Sequence, residues 1–366
     1  MRPAAATGAV GVALALVAGL FDAEPLWVPA VMLVALGAGA VAWVLAGARA
    51  VHVQRTLSAR RVVEDDPVDV VLTVGAGGLG LPTGLLDDPL LPAPLALAVG
   101  RRGQQQRLRV RFGRRGRRRL PSPRVIVRDP LGLATRIVDH DGGESDLLVL
   151  PRVSPVVVAG PGGGDGTALT GHGRPRAGAQ VDLDGVRALR TGTPASRIFW
   201  PSLARGGEMM ERRLQADADT RPLVVLDPRA GADAEGEADL DAAVRATASL
   251  IVHLARAGGC AALIPGEHRP AIVDPALAGW AHLHARLALV DRRSRVDLAT
   301  LGGRRGPIFF VVAQRVSRPP RALQGSHGSS RVLVVPAPIA GRRIGFTVAG
   351  CAGYALADAR VRPAVA

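Results

Sequence analysis

The sequence predicts two N-terminal transmembrane helices, then a β-sandwich-like domain, then an α/β domain with a parallel sheet. Three observations carry this prediction: two charge-free apolar stretches, short alternating runs separated by glycine and proline, and a later alternation of apolar strands with amphipathic helices. The chain has 366 residues, enough for membrane segments and two soluble domains. The predicted divisions are 1–50, 51–152, a Gly/Pro/Arg-rich linker at 153–181, and 182–366.

The two apolar stretches, 4–21 and 27–48, approach the roughly 20 residues that span a bilayer. The connection between them carries only acidic residues, whereas arginines flank their outer ends. The positive-inside rule therefore predicts a multi-pass protein of the cell (inner or plasma) membrane with its soluble domains in the cytoplasm. Two alternatives stay open at this point: a cleaved signal peptide over the first stretch, and buried helices of a soluble protein.

The positive charge of the chain is carried by arginine alone, because the net charge of +15 arises in a sequence without lysine. The segment Arg101–Arg119 holds ten arginines and no acid, on strands whose alternation turns one cationic face outward. Anionic lipid and nucleic acid are the candidate ligands of this segment, and solvated hairpin charge is the simpler interpretation. Aromatic residues make up 3% of the chain, which disfavours a base-stacking groove.

A candidate site in the α/β domain lies where the apolar run Arg221–Asp227 ends in a carboxylate. Helices and further strands follow this run, a pattern that is typical of a parallel sheet. Ligands of such sheets bind at the carboxyl ends of the strands. Asp227 therefore marks the natural place to look for a site.

Catalytic, cofactor and metal motifs are absent from the sequence, which has no cysteine–histidine cluster, phosphate-binding loop or serine elbow. Cys260 and Cys351 lie in apolar runs and are expected to be buried free thiols. His282 and His284 stand two positions apart on a predicted helix and are expected to face solvent. We therefore expect a non-enzymatic protein without a cofactor.

The segment 187–205, just before the Asp227 strand, resembles the signature of the domain-of-unknown-function 58 (DUF58) family of bacterial membrane proteins. The family pattern is R-x-Y-x-x-G-D-x-x-R-x-I-x-W-x-x-x-A-R. The matching residues are Arg187, Gly192, Ile198, Trp200, Ala204 and Arg205, and Arg197 lies one position after the second arginine of the pattern. Arg128–Leu133 and Val149–Arg152 resemble the D-P-F-G-L and V-Y-P blocks of the family. The chain departs from the pattern at Thr193, where the family has aspartate, and at Phe199, where a polar residue is usual.

This resemblance implies a β-sandwich and a von Willebrand factor A-like α/β domain on the cytoplasmic side of the membrane. It also implies a scaffolding role, beside a MoxR-type AAA+ ATPase and a transglutaminase-like membrane protein, or in envelope maintenance. The segment 187–205 is then the expected interaction loop, and its candidate residues are Arg187, Gly192, Arg197, Ile198, Trp200 and Arg205. The alternative function is a divalent-metal-dependent binding domain or a cryptic hydrolase centred on Asp227.

A von Willebrand-type metal site needs the motif D-x-S-x-S, because a hard divalent cation takes one carboxylate and two hydroxyl oxygens from one turn. The run in this chain is Asp227-Pro-Arg-Ala-Gly231, with a cation at the first hydroxyl position and no side chain at the second. Asp227 is thus a degenerate metal-site position, and we expect no metal there.

Overall fold

The computed structural model describes most of the chain and divides it into two compact units, Met1–Val149 and Leu150–Ala366. The described residues are 2–78, 80–139, 145–159, 183–188, 199–214, 221–296, 306–316 and 330–356. The strand Val156–Val158, in the second unit, falls within the range that the sequence assigned to a linker. Residues 160–181 of that predicted linker lie outside the described residues.

The first unit begins with a helical hairpin. Helix α1 spans Arg2–Leu20 and helix α2 spans Trp27–Ala50, and a 3-10 turn at Glu24–Leu26 joins them. Both helices are long and apolar enough to cross a membrane. The prediction of two N-terminal apolar helices is confirmed.

Small residues occupy the contact between the two helices. The positions buried at seven-residue intervals are Ala4, Gly11 and Ala18 on α1, and Ala30, Gly37 and Val44 on α2. A Cβ atom at Gly37 would lie 2.7 Å from the carbonyl oxygen of Ala4, so the helices approach this closely only because glycine is present. Large apolar side chains point outward instead, with Leu20 79% and Met32 59% exposed. This distribution is the reverse of that in a water-soluble helix pair.

The rest of the first unit is β-rich. Its strands are β1 (Val51–Leu57), β2 (Arg61–Val63), β3 (Pro67–Ala76), β4 (Gly84–Asp87), β5 (Leu95–Ala96), β6 (Gly103–Arg111), β7 (Gly116–Leu120), β8 (Arg124–Arg128), β9 (Thr135–Asp139) and β10 (Ser145–Leu150). They form three sheets with the orders β1-β3-β6, β2-β10-β7 and β5-β4-β8-β9. Burial alternates along β3 and β6, as the period-two pattern of their sequences predicts.

The ends of the helical hairpin share the core of this β-rich part. Ala4 of α1 and Ala40 and Val44 of α2 belong to the same buried cluster as Leu72 of β3 and Val127 of β8. Gly47 of α2 packs against the same strand, because a Cβ there would lie 3.3 Å from the Val127 side chain. The hairpin and the strands therefore form one packed body.

The second unit is built around an eight-stranded mixed sheet. Its helices are α3 (Trp200–Ala204), α4 (Ala234–Gly258) and α5 (Trp280–Ala288). Its strands are β11 (Val156–Val158), β12 (Leu183–Ala188), β13 (Met210–Leu214), β14 (Leu223–Asp227), β15 (Cys260–Leu263), β16 (Ala271–Val273), β17 (Ile308–Val312), β18 (Arg331–Val335), β19 (Phe346–Val348) and β20 (Cys351–Leu356). The large sheet has the order β11-β19-β20-β18-β17-β14-β15-β16, and β12 and β13 form a separate pair.

The prediction of a parallel sheet holds only for its centre, so the sheet as a whole is mixed. Strands β15, β14, β17 and β18 run parallel, whereas β16, β20, β19 and β11 each pair antiparallel with a neighbour. The turn between β19 and β20 explains one of these pairs. Ala349 and Gly350 both have positive φ, 48° and 84°, the backbone of a two-residue hairpin turn, and such a short connection joins only antiparallel strands.

Helix α4 packs on one face of the large sheet. Asp233 caps its first turn by accepting a hydrogen bond from the backbone N–H of Gly236 at 2.8 Å. The buried face of α4 joins Val224 of β14 in one core, while Leu223 on the opposite face belongs to a second core. Burial on both faces explains why β14 is a continuous apolar run instead of an alternating one.

Candidate functional site

The carboxyl ends of β14 and β17 form the edge of the sheet at which a ligand is expected. The chain leaves β14 through α4 to reach β15 on one side, and it later returns as β17 on the other side of β14. Open α/β sheets leave a ligand crevice at such a reversal. Asp227 is the last residue of β14 and lies opposite Val312 of β17. Its backbone carbonyl accepts a hydrogen bond from Ala313 N at 3.0 Å, which fixes the strand end.

The carboxylate of Asp227 is bound by the guanidinium of Arg229. Arg229 Nε donates to both carboxylate oxygens, at 2.9 and 3.0 Å, and Nη2 donates to Oδ2 at 2.5 Å. The Asp227 side chain is 7% exposed and the Arg229 side chain 65%. The hydrogen bonds to Asp227, and then its charge, raise the pKa of Arg229 above its usual value. One side of this guanidinium is thus fixed, and the other side is open to solvent.

A cleft of about 320 Å³ opens beside this pair. The described residues that line it are Asp227, Arg229, Arg295 and Val296. The preceding turn holds Arg295 in place, because Asp291 Oδ1 accepts hydrogen bonds from Ser294 Oγ at 3.0 Å and Ser294 N at 2.9 Å. The bond from the Ser294 hydroxyl lowers the pKa of Asp291, so this carboxylate stays ionised. Two guanidiniums against one carboxylate make the described lining suited to an anionic group.

Other carboxylates at this edge also have internal partners. Arg315, just beyond β17, lies 2.5 Å from Glu235 Oε1 through Nη1 and 2.7 Å from Asp239 Oδ2 through Nε. Both acids belong to the first two turns of α4, and Asp233 caps that helix. Arg315 therefore neutralises Glu235 and Asp239, the carboxylates that a metal cation could otherwise bind.

A divalent cation does not fit these residues. Both oxygens of Asp227 already accept hydrogen bonds from Arg229. Gly231 offers no side-chain oxygen, and a Cβ there would lie 2.8 Å from Asp233 Oδ1, the atom that caps α4. Within the part of the chain that the structure describes, no group of three or more His, Cys, Asp or Glu is arranged to hold a metal.

The predicted interaction loop is only partly described. Arg187 lies in β12, opposite Glu211 of β13. Trp200 is the first residue of α3 and is 53% exposed, and Arg205 follows α3 as an exposed residue. The remaining candidates lie outside the described residues: Gly192, Arg197 and Ile198. Neither Trp200 nor Arg205 is among the described residues that line the cleft, so the described parts of the loop and of the cleft share no residue.

The expectation that His284 faces solvent is wrong. Its side chain is buried, it stacks on Trp280 with ring centroids 4.5 Å apart, and its Nε2 lies 2.7 Å from the carbonyl oxygen of Pro151. A carbonyl only accepts, so Nε2 carries the proton. Positions two apart on a helix point in different directions, which leaves His282 exposed and turns His284 inward. Burial lowers the pKa of His284.

The two cysteines are buried free thiols, as predicted. Burial raises the pKa of Cys260 and of Cys351 to about 12. Only the thiolate reacts, so neither group is a candidate nucleophile near neutral pH.

The arginine-rich segment Arg101–Arg119 exposes one cationic strand face, as the alternation predicts. Part of its charge has a partner, because Arg109 lies 3.1 Å from Asp69 and Arg117 lies 2.6 Å from Asp146. All four side chains are at least half exposed, so water and salt screen both pairs and each adds little to stability. The segment is a surface face and not a groove.

Comparison of the chain with protein-family models and with curated proteins found no match. Arg295 and Val296 are the cleft residues that sequence reasoning missed. The only local signal for them is the Asp291-x-x-Ser294 turn that precedes them, and such a turn does not indicate what it packs against.

Proposed function

We propose that this chain is a membrane-anchored, non-enzymatic interaction protein of the DUF58 family, and that its second unit binds an acidic group of a partner protein in the arginine-lined cleft. The Arg229–Asp227 pair carries this proposal. A guanidinium held on one side and open on the other offers parallel N–H donors to an incoming carboxylate. Arginine stays protonated at neutral pH, so the site is suited to binding and not to proton transfer.

The distribution of side chains on the helical hairpin supports the membrane anchor. Leu20 and Met32 are exposed while Gly37 is buried, the arrangement that lipid favours. Trp27 and Trp43 are about half exposed and stand about 24 Å apart along α2, close to the thickness of a hydrocarbon core. With arginines at the outer ends, we assign both soluble units to the cytoplasm and the protein to the inner or plasma membrane.

We assign a β-sandwich to the β-rich part and a von Willebrand factor A-like fold to the second unit. The alternating burial of β3 and β6 supports the first assignment, because one face of each strand packs inward. The parallel strands around β14, with Asp227 at their carboxyl edge, support the second. In this version of the fold, Arg229 takes the position that a cation would otherwise occupy.

A MoxR-type AAA+ ATPase is the partner that we propose first, and a transglutaminase-like membrane protein or a role in envelope maintenance comes next. The pattern of segment 187–205 supports this choice. The exposed Trp200 provides a second, apolar contact surface of the kind that anchors protein interfaces.

The test is capture of a purified MoxR-type ATPase by the full-length protein in lipid nanodiscs. Arg229→Ala and Arg295→Ala should each weaken binding about tenfold, the equivalent of about 1.4 kcal/mol. Arg229→Lys should lie between wild type and Arg229→Ala, because it keeps the charge and loses the two-pronged donor. Higher salt should weaken wild-type binding more than binding by either alanine variant.

The matched control is Arg256→Ala, which removes an exposed arginine from the last turn of α4, at the opposite edge of the sheet. Its binding should equal that of wild type. Equal capture by wild type, Arg229→Ala and Arg295→Ala would remove the cleft from the proposal. A further variant, Trp200→Ala, then tests the interaction loop separately.

A further inference from the structure

Strand β6 lies at the edge of the sheet β1-β3-β6. It pairs with β3 along one side, and no described strand pairs with its other side. It runs for nine residues, Gly103–Arg111, in unbroken register with β3, whereas the other described edge strands of the first unit have two to seven residues. Native sheets usually shorten or bulge their edge strands, because free backbone groups invite pairing with another chain. β6 is therefore a long and regular edge that is open to such pairing.

The register shows which backbone groups of β6 are free. Ala76 N donates a hydrogen bond to Arg102 O at 3.0 Å just before the strand, so these two residues form a hydrogen-bonded pair. Such pairs alternate along an antiparallel ladder, so the even-numbered residues of β6 bond to β3 and the odd-numbered residues turn their N–H and C=O groups to the free edge. The described hydrogen bond of the Arg107 carbonyl agrees with this, because it comes from Gln106 Nε2 at 3.4 Å and not from β3. The free positions are Gly103, Gln105, Arg107, Arg109 and Arg111.

The inward face of β6 is covered less well than that of its neighbour. Val70 and Leu72 of β3 are 0% exposed. Their partners on β6, Leu108 and Gln106, are only partly buried. Leu108 packs against the core of the β-rich part, yet some of its side chain stays in contact with water at the rim of the sheet. A further strand beside β6 would remove this apolar surface from water, which is favourable.

The outward face of β6 carries exposed arginines at alternate positions, Arg107, Arg109 and Arg111. Arg109 lies 3.1 Å from Asp69, and Arg111 donates to the carbonyl oxygen of Asp65 at 2.7 Å. The Arg107 side chain has no hydrogen-bond or ion-pair partner among the described residues. If the β6 strands of two copies paired antiparallel, the arginines of one copy would face those of the other, and like charges directly opposite are destabilising. The charge of this edge therefore favours an acidic partner over a second copy.

We propose that β6 binds an extended acidic segment of a partner protein, which adds a fourth strand to the sheet β1-β3-β6. The free N–H and C=O groups of β6 bond to the backbone of the segment. Acidic side chains at alternate positions lie opposite the arginines, and the apolar side chains between them cover Leu108. A lipid or nucleic-acid phosphate only accepts hydrogen bonds, so it would leave the free carbonyl groups without partners. The edge belongs to the first unit and does not rest on the cleft of the second unit.

The first test is residue-resolved hydrogen exchange of the full-length protein in lipid nanodiscs. Without a partner, the amides of Arg107 and Arg109 should exchange at least about tenfold faster than those of Gln106 and Leu108, because only the latter bond to β3. Similar slow exchange at all four positions would show that the edge is already covered, and would overturn the proposal. The same result obtained only when phosphatidylglycerol replaces phosphatidylcholine would assign the edge to lipid instead.

The second test adds a labelled peptide of alternating glutamate and valine, as long as β6, and follows its fluorescence anisotropy. The peptide should bind and should slow exchange of the Arg107 and Arg109 amides about tenfold. A peptide with the same sequence and N-methyl groups on its glutamates keeps the charge and loses backbone donors, so it should bind at least about tenfold more weakly. No binding of the unmethylated peptide, or equal binding of both peptides, would overturn the added strand.

A pair of charge-reversal variants then locates the binding surface. Arg107→Glu should weaken binding of the unmethylated peptide about tenfold, because it places a like charge opposite a glutamate. The matched control is Arg118→Glu, which reverses an exposed arginine of the same arginine-rich segment on β7, in a different sheet. Its binding should equal that of wild type. Equal weakening by both variants would show general attraction of the peptide to the arginines and would overturn the assignment to the edge of β6.

Discussion

Two arginine–aspartate pairs, one in each unit, have the same chemistry and opposite surroundings. In the first unit, Arg55 Nη1 lies 2.9 Å from Asp88 Oδ2, and the two side chains are 1% and 0% exposed. In the second unit, Asp227 is equally enclosed, but its partner Arg229 is 65% exposed. The pair with both partners buried can only support the fold. The pair with an exposed arginine can also bind a ligand.

Two further hydrogen bonds hold the buried pair within the fold, although the buried Arg55 Nε has no partner among the described residues. Arg55 Nη2 donates to the carbonyl oxygen of Leu120 at 2.8 Å, and Asp88 Oδ1 accepts from Leu90 N at 2.8 Å. The pair thereby ties β1 to the end of β7 and to the loop that follows β4. Within the described part of the chain, the Arg229 side chain instead hydrogen-bonds to Asp227, two residues away, and makes no long-range connection. The comparison predicts that the first pair matters for stability and the second for binding.

The largest expected effect is that of Asp88→Ala, which leaves the Arg55 guanidinium buried without its counter-charge. We expect it to lower the free energy of unfolding of the first unit by about 3–5 kcal/mol. Denaturant titration in detergent, followed by hydrogen exchange of β1 and β3, measures this change. Replacing both partners, with Arg55→Met and Asp88→Leu, should recover much of the loss, because no unpaired charge stays buried. A loss below about 1 kcal/mol would show that the pair behaves like a surface pair.

A smaller effect is expected from Arg229→Ala. The variant leaves Asp227 with the weak backbone donor of residue 229 and with water, so the second unit should lose about 1 kcal/mol. Denaturant titration followed by Trp280 fluorescence reports on this unit. Arg256→Ala is the control and should stay within about 0.5 kcal/mol of wild type. If Arg229→Ala lowered the free energy of unfolding as much as Asp88→Ala, the conclusion that the two pairs differ in their importance for stability would be wrong.

Protonation of His284 tests whether a buried polar group of the second unit also supports its fold. Burial lowers the pKa of His284 in the folded state, so the unfolded chain binds the proton more readily. Stability of the second unit should therefore be full above the usual histidine pKa of about 6.5 and decline as the pH falls below it. Denaturation midpoints measured above and below that pH give the slope of stability against pH.

The control for this pH dependence is His284→Gln, which keeps an N–H donor for the Pro151 carbonyl and does not titrate. Partial burial also lowers the pKa of His253, so the difference in slope between wild type and variant is the readout. Identical slopes would assign the pH dependence to groups other than His284.

The smallest expected effect is alkylation of the two buried cysteine thiols. Cys260 and Cys351 have pKa values of about 12 because they are buried, so iodoacetamide should modify neither in the native protein at neutral pH. Modification should begin only when denaturant opens β15 and β20. Mass spectrometry after timed alkylation follows both sites, and fast native alkylation would show that the sheet opens far more readily than its burial indicates.

Patterns along the chain were enough to predict several parts of this fold. The hairpin follows from two charge-free stretches of membrane length, and Asp227 at a strand end follows from the apolar run that precedes it. The contact of Arg229 with Asp227 also involves neighbours in sequence, and the absence of a metal there stays a prediction. Each of these inferences used residues that are near one another in sequence.

Features that depend on distant residues were not predictable in this way. Arg295 reaches the cleft only because the sheet places β14 near the turn that follows α5. The inward position of His284 depends on which face of α5 meets the core, and the partner atom belongs to Pro151. The mixed character of the sheet follows from the short turn at Ala349–Gly350 and from the return of β11 to β19. The spacing of apolar residues along the chain does not predict such contacts.

The helical hairpin and the strands share core residues, so the β-rich part cannot complete its core during synthesis without the helices. Ala4 precedes the strands in the chain and is synthesised before them, yet it is 1% exposed in a cluster with Leu72 and Val127. The β-rich part therefore completes its core only together with the two helices, which are synthesised before it. A shortened protein that begins at Val51 would leave that apolar surface uncovered, and chaperone retention or aggregation is the expected fate of such a fragment during expression.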